Sequence, residues 1–440
     1  MSDKENLVAA IDIGTTKVVA IIGKKKENGR IEILGVSKTP STGIKRGVVQ
    51  NIDETVTAIT KTVEDVQATT GYVFSDVFVG IAGKHIKTIR NRGYINRNSD
   101  DDEIARSDID TLIREMYNIS IDVGEEIIHV LPQSFIVDNE TGIKNPVGML
   151  GRRVEANFHI VIGQITSTKN ISKCVTKAGL NLNEIILEPL ASSAAVLTDD
   201  EKEAGVALVD IGGGTTDVAV YYDDIIRHTA VIPFGGDVVT KDIKEGCSIL
   251  KRQAELLKVQ YGSALGDIAR EDEIVSIPGI SGREPKEISL KSLAYIIQSR
   301  MEEILNAVLY EIENSGYYER LSAGIVITGG GALLKDLPQL VKFTTGMDVR
   351  LGYPSEMLAS ESVEEVNNPM FSTSVGLVLE GFDYIARNET PDKEEPEGKM
   401  QEFEEEGEMQ SSQQEKVQKG FFNKLKNAFN DIFEENDAEM

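Results

Sequence analysis

Cysteine is nearly absent. The only two, Cys174 and Cys247 in 440 residues, are too few and too separated for a disulfide framework or a zinc knuckle, which predicts a reducing compartment and two buried bystander thiols. The four histidines, His85, His129, His159 and His228, show no ligand spacing and support neither a zinc site nor a serine or cysteine triad. Positive charge is short as well: 46 Lys and Arg stand against 72 Asp and Glu, a formal charge of -26, which excludes nucleic acid as the main partner because a phosphate backbone demands a basic surface. No apolar stretch approaches the ~20 residues that span a bilayer, so any membrane contact is expected to be peripheral. Met1 to Asn6 run straight into the first strand with no apolar signal region, an expectation of a cytosolic chain. None of the Gly-Lys pairs, Gly23-Lys24, Gly83-Lys84 and Gly398-Lys399, is followed by Ser or Thr, which removes P-loop alternatives.

What is present is organised around Ala207-Leu208-Val209-Asp210-Ile211-Gly212-Gly213-Gly214-Thr215-Thr216-Asp217, followed by Val218-Ala219-Val220. Apolar runs on both sides of a Gly/Thr/Asp turn read as two antiparallel strands, and consecutive glycines let backbone N–H groups turn inward on a phosphate. A shorter copy lies about two hundred residues earlier, Ala10-Ile11-Asp12-Ile13-Gly14-Thr15-Thr16-Lys17-Val18-Val19-Ala20. Two such turns suggest a duplicated nucleotide-gripping domain. The length predicts two or three compact units.

Along the chain, Val8 to Ile22 reads as the first hairpin and Ile31 to Ser37 as a third strand. Asp53 is expected to cap a helix carrying Val56, Ile59, Val63 and Val66, with a buried strand over Val77 to Ala82. From about Lys84 to Gly163 the rhythm breaks, with a charged, Asn-rich start over Asn91 to Glu103, a helix near Ser107 to Met116 and strands near Glu126 to Val137 and Ala156 to Ile162; this block reads as an inserted subdomain. Residues 237 to 319 read as mostly helical, with a long amphipathic helix from about Lys291 to Asn314. Ile325 to Thr328 then reads as a strand opening through Gly329, Gly330 and Gly331 into a nucleotide-contacting helix start.

Asn388 to Gln418 holds eleven acidic residues against three lysines, too little apolar surface to offset ordering, so it is expected to be a disordered acidic tether. A flexible coil of that length spans roughly 30 Å. Beyond it Phe421, Phe422, Leu425, Ala428, Phe429, Ile432 and Phe433 recur at 0, 1, 4, 7, 8, 11 and 12, one continuous helical face. With Lys419, Lys424 and Lys426 beside it, this face suits anionic membrane lipids, although Asp431, Glu434, Glu435 and Asp437 count against that reading; the other reading is a terminal helix docked on its own domain or in a partner's groove.

The two Asp-Ile-Gly hairpins and the late Thr-Gly-Gly-Gly turn, in that order, resemble the ATPase superfamily of actin, hexokinase and the heat-shock chaperones. More narrowly the chain resembles the FtsA family, bacterial cell-division relatives of actin. That likeness rests on Leu187-Glu188-Pro189-Leu190-Ala191-Ser192-Ser193-Ala194, on Phe234-Gly235-Gly236-Asp237 followed by Thr240 and Asp242-Ile243, on the inserted block and on the tail. The resemblance implies an α/β, two-lobed actin-like ATPase fold with an inserted α+β subdomain in the first lobe. Residues 1–83, 164–203 and 360–387 would form the first lobe, 84–163 the insert, 204–240 and 320–359 the second lobe, and 241–319 its helical subdomain. Residues 388–418 would be the linker and 419–435 the amphipathic membrane-targeting helix.

ATP and Mg²⁺ would lie in the cleft. Asp12 and Asp210 would hold Mg²⁺ through its waters, as suits a hard cation that keeps much of its hydration. Gly14, Thr15, Thr16 and Lys17 would hold phosphates from one lobe, and Gly212, Gly213, Gly214, Thr215 and Thr216 from the other, beside Gly235 and Gly236. Glu188 would orient the attacking water, Glu255 and Lys258 would bracket the ribose and base, and Gly329 to Gly331 would approach from the opposite side. The family also implies filament formation by self-association, other division proteins as partners, and contact with the carboxy-terminal peptide of the tubulin-like protein FtsZ, for which Arg300 is the candidate. The expected site of action is the cytoplasmic face of the cell membrane at the division site. An enzyme of the same fold, a small-molecule kinase, is the alternative; it would gain nothing obvious from a leashed amphipathic helix. A chaperone-like ATPase would need a β-rich substrate domain that the last fifty or so residues cannot form.

Overall fold

The computed structural model describes residues 7–97, 103–270, 272–279, 284–354 and 358–389. Most of the expected linker and the whole expected amphipathic helix, Phe421, Phe422, Lys424, Leu425, Lys426, Phe429, Ile432 and Phe433 included, lie outside the described residues.

The chain opens with β1 (Leu7–Ile13), paired antiparallel with β2 (Lys17–Lys25), which pairs in turn with β3 (Ile31–Pro40). Val8 to Ile13 and Val18 to Gly23 are buried without alternation, the pattern of strands covered on both faces. A small hairpin follows, β4 (Ile44–Lys45) and β5 (Val48–Val49), turning through Arg46 and Gly47 at φ 51° and 72°. Then comes α1 (Ile52–Thr70), whose cap is Asn51 rather than Asp53: the Asn51 side chain accepts from the N–H groups of Asp53 and Glu54. Asp53 sits inside the first turn, where its charge favours the positive end of the helix. β6 (Asp76–Ile81) runs parallel to β1.

Residues 87–164 build a separate sheet. It comprises β7 (Lys87–Asn96), β8 (Glu125–Val137), β9 (Glu140–Ile143) and β10 (Arg153–Gln164), ordered β7-β10-β8-β9, with α2 (Arg106–Met116) against it. Ile109, Leu112 and Met116 of α2 bury against Phe135, Val154, Phe158 and Ile160 in a core of the insert's own. The first part of the charged, Asn-rich stretch, Asn91 to Asn96, lies in β7, because β10 supplies a partner from Lys87–Ile162 to Arg153–Asn96.

α3 (Ile165–Lys177) leads to β11 (Asn181–Leu187), which completes the first sheet in the order β11-β6-β1-β2-β3. After α4 (Glu188–Val196) and α5 (Asp199–Ala204) the pattern repeats with β12 (Val206–Ile211), β13 (Thr216–Tyr222) and β14 (Ile225–Ile232). α6 (Gly236–Cys247), α7 (Lys251–Tyr261), β15 (Ile274–Ile277), β16 (Lys286–Ser289) and α8 (Leu290–Asn314) come next, so the region read as mostly helical also holds a hairpin. β17 (Ile325–Thr328), α9 (Leu337–Thr345), β18 (Val349–Leu351) and α10 (Ser372–Glu389) finish the chain described. α10 takes in the first two residues of the expected linker. The second sheet is ordered β14-β13-β12-β17-β18. Both sheets thus pair a three-stranded antiparallel meander with two parallel strands on the same side, the topological form of the duplication.

The glycine run after β17 opens into a 3-10 turn, Gly330–Leu333, rather than directly into a helix; α9 starts only at Leu337, where Pro338 suits the first turn. Helices α4 and α10 lie between the sheets. Ala191 and Val196 of α4 and Val375, Leu377 and Val378 of α10 share one core with Val8, Ala10 and Phe78 of the first sheet and Leu208, Ala219 and Val326 of the second. The helices cross at Gly376, where a Cβ would stand 1.7 Å from the Ala191 carbonyl oxygen. Each buried Val, Leu or Phe among them contributes roughly 1.5–3 kcal/mol, and here the same residues weld both sheets. Cys174 and Cys247 are free and buried.

Candidate functional site: a cleft between two hairpin turns

The β1–β2 and β12–β13 turns face each other. A Cβ on Gly213 would stand 2.3 Å from Thr16 Cγ2, and one on Gly214 would stand 2.3 Å from Thr15 Oγ1; only glycine admits the two threonines. Thr15 Oγ1 accepts from the Gly47 N–H at 3.0 Å, which ties the β4–β5 turn to the first hairpin. On the other side, the N–H groups of Gly236 and Asp237 donate to the carbonyls of Gly212 and Gly213 at 2.9 and 2.8 Å, and Gly235 sits where a Cβ would meet three carbonyl oxygens.

A cavity of about 530 Å³ opens from these turns. It is lined by Thr16, Lys17, Gly212, Gly213 and Gly236, by Glu255 and Lys258, and by Gly330 and Gly331. Gly14, Thr15, Gly214, Thr215, Gly235 and Gly329 do not line it. Thr216 does not face it, because its hydroxyl is fully buried and donates to the Phe234 carbonyl at 2.9 Å. Lys258 Nζ donates to the Gly236 carbonyl, Thr240 Oγ1 and Glu255 Oε2 at 2.9, 2.8 and 2.8 Å, so the Glu255–Lys258 pair is locked to α6 and presents one rigid edge. The floor is apolar, made by Val239, Leu290, Met301, Leu334 and Met370. Those five come from widely separated stretches and carry no motif. A larger cavity, about 890 Å³, lies apart from this one, between β7 and α2 of the insert.

Behind the turns are four carboxylates: Asp12, Glu188, Asp210 and Asp217. Burial raises the proton affinity of Asp12 above the ordinary carboxylate range, against the pull of Lys17 and a hydrogen bond from Ser374. Burial likewise raises Asp210, opposed by hydrogen bonds from Ser192 and Thr373. Glu188 and Asp217 are raised well above the usual range, by burial first and then by neighbouring carboxylates. Asp217, on β13 directly across from Asp210, keeps Oδ1 buried with no hydrogen-bond partner. Its position inside the repeated motif was visible in sequence, and its role as a fourth buried acid was not. Gly80 of β6 leaves room for Glu188, since a Cβ there would stand 3.0 Å from Glu188 Cγ. No group of three or more potential ligands among the described residues could hold a metal ion directly. An all-oxygen, strongly acidic set countered by Lys17 and completed by hydroxyl donors fits a hydrated divalent cation.

Arg300, on α8, donates through Nε to Asp242 Oδ2 at 2.5 Å and through an Nη to Glu303. The four histidines do not gather at one site. His129 accepts from the Leu187 N–H, His159 meets Thr229 and His228 meets Glu311, each at 3.0 Å.

Residues 207–376 match the family described as cell division protein FtsA, and residues 83–162 match the SHS2 domain inserted in FtsA. The chain is 40% identical over 376 residues to the cell division protein FtsA of Pseudomonas aeruginosa, covering 86% of this chain and 89% of that protein. It is 39% identical over 379 residues to the Neisseria meningitidis protein of the same name, with 86% and 91% covered. Against the Escherichia coli K12 protein the identity is 35% over 382 residues, with 85% and 90% covered. Among solved structures, the PilM-PilN type IV pilus biogenesis complex matches with a TM-score of 0.60 at 14% identity, covering 85% of this chain and 98% of that one. MreB 5 of Spiroplasma citri, bound to AMPPNP, matches with a TM-score of 0.55 at 13% identity, covering 88% and 99%. These likenesses establish an actin-like fold.

Proposed function

The chain belongs to the FtsA family of cell division proteins, and from that premise we propose that it binds ATP with Mg²⁺ in the cleft. We further propose that it polymerises on the cytoplasmic face of the cell membrane at the division site, tethers FtsZ there and helps recruit later division proteins. The observation that carries the nucleotide reading is the cavity that gathers Thr16, Lys17, Gly212, Gly213, Glu255 and Lys258 from both lobes. Its glycine-lined end suits phosphates and its apolar floor suits a base. Mg²⁺, when bound, supplies positive charge between the phosphates and the acidic residues behind the turns. Asp12 and Asp210 hold it through its waters, and Lys17 offsets phosphate charge. Glu188 orients the attacking water; its raised proton affinity supports a group that can accept a proton.

Arg300 takes the acidic FtsZ peptide by sharing a guanidinium already paired with Asp242 and Glu303. The apolar face from Phe421 to Phe433, beside Lys424 and Lys426, supports the membrane reading.

Calorimetric titration of ATP with and without Mg²⁺ tests the cleft. Asp210→Ala should abolish the Mg²⁺-dependent affinity, and retained affinity refutes the metal assignment. Co-sedimentation with anionic liposomes, comparing the full chain with one ended at Asn388 and with Phe429→Asp, tests the tail. Equal pelleting of all three would refute the membrane reading.

A further inference from the structure

Of the four carboxylates, Asp12 and Asp210 each accept hydroxyl hydrogen bonds at one oxygen. Asp210 Oδ2 accepts from Ser192 Oγ at 2.6 Å and from Thr373 Oγ1 at 3.0 Å. Its Oδ1 faces the glycine turn, 2.2 Å from where a Cβ on Gly329 would stand. Asp12 repeats the arrangement. Its Oδ2 accepts from Ser374 Oγ at 3.1 Å, and its Oδ1 lies toward Gly14, 3.6 Å from that residue's Cβ position.

Thr373 and Ser374 are consecutive residues in the first turn of α10, and Ser372 before them is 2.6 Å from Thr328 Oγ1 of β17. Three successive hydroxyls of one helix therefore reach β12, β1 and β17, in both lobes. Ser372 and Ser374 are fully buried. The opposite end of α10 is Glu389, where the acidic tail begins.

We propose that Thr373 and Ser374 are positioning residues. They hold Asp210 and Asp12 by one oxygen each, so that the other oxygens face the incoming hydrated cation, and they relay filling of the cleft along α10 to the start of the tail. This rests on the metal and nucleotide reading of the cleft. A hydrated cation held by both carboxylates would restrain β1 relative to β12. The first turn of α10, bonded to both, is fixed with them through hydroxyl–carboxylate bonds, which are charge-assisted and directional. A helix of 18 residues carries that restraint about 27 Å.

The test uses the full chain, a Thr373→Val/Ser374→Ala double variant, Thr373→Val alone and Thr373→Ser. ATP affinity is measured with Mg²⁺ and with EDTA, and backbone hydrogen exchange is followed across residues 380–389. In the unaltered protein, Mg²⁺ tightens binding and Mg²⁺–ATP slows exchange at that end. The double variant should lose roughly tenfold or more of the Mg²⁺-dependent affinity, keep its affinity in EDTA and show no slowing. Thr373→Val, which replaces a hydroxyl by a methyl of similar size, should move both readouts the same way by less, and serves if the double variant does not fold. Thr373→Ser, which keeps the donor, should restore both. Unchanged Mg²⁺-dependent affinity, or slowing at residues 380–389 equal to that of the unaltered chain, overturns the role of the hydroxyls. Absence of Mg²⁺-dependent binding in the unaltered chain overturns the cleft reading itself, and this inference with it.

Discussion

Asp217→Asn should stabilise the nucleotide-free protein. Asp217 is 4% exposed, receives one long hydrogen bond, from Thr215 Oγ1 at 3.3 Å, and leaves Oδ1 buried and unpartnered opposite Asp210. A buried polar group in that condition costs about 1–3 kcal/mol, more when charged. Asparagine has the same shape, removes the charge and can donate to Asp210. For the unit Met1–Asn388, an unfolding entropy near 2.1 cal/mol/K per residue amounts to about 0.8 kcal/mol/K, so ~2 kcal/mol raises Tm by about 2–3 °C. The sign with pH follows from the raised proton affinity of Asp217. Below the ordinary aspartate value of 3.8, Asp217 is protonated folded and unfolded, and the variant gains little. As pH rises past it the unfolded chain loses the proton first, native stability falls until the folded group also ionises, and the advantage of asparagine grows to its full size. Scanning calorimetry in EDTA from about pH 4.5 to pH 8 reads this out. A Tm equal to or below that of the unaltered protein at pH 8, or a gap that stays constant across the range, refutes the reasoning.

Gly329→Ala places a methyl 2.2 Å from Asp210 Oδ1 on a backbone at φ 85°; it should cost about 1–3 kcal/mol of stability and weaken Mg²⁺-dependent ATP binding, both measurable by calorimetry. Leu112→Ala empties the centre of the insert's own core and should cost about 2–5 kcal/mol; hydrogen exchange should quicken in α2 and β7 while ATP affinity in the cleft holds. Gly376→Val should prevent α4 and α10 from crossing, since a Cβ alone would stand 1.7 Å from the Ala191 carbonyl, and limited proteolysis should find both lobes labile.

Local pattern carried a good deal. Asp12 and Asp210 lie near the ends of buried strands, with glycines and threonines at the turns, because continuous apolar runs and residues small enough for close approach are properties of a few consecutive positions. The repeat of that pattern and the length of α8 were legible for the same reason. Long-range pairing decided the rest. β7 is a strand because β10 lies beside it, not because Asn91-Arg92-Gly93 favours one. Asn51 outcompetes Asp53 as a cap by the backbone angle at which the chain enters α1. The apolar floor draws on residues from Val239 to Met370, and Ser374 reaches Asp12 across 362 positions. Sequence by itself therefore determined the two glycine- and threonine-bearing turns and their duplication, which depend on steric permission at single residues. Only the tertiary structure decided that the turns face each other, that four acids share the space behind them, and that one helix bonds to both lobes, because each of those is a distance between residues whose separation along the chain carries no information about it.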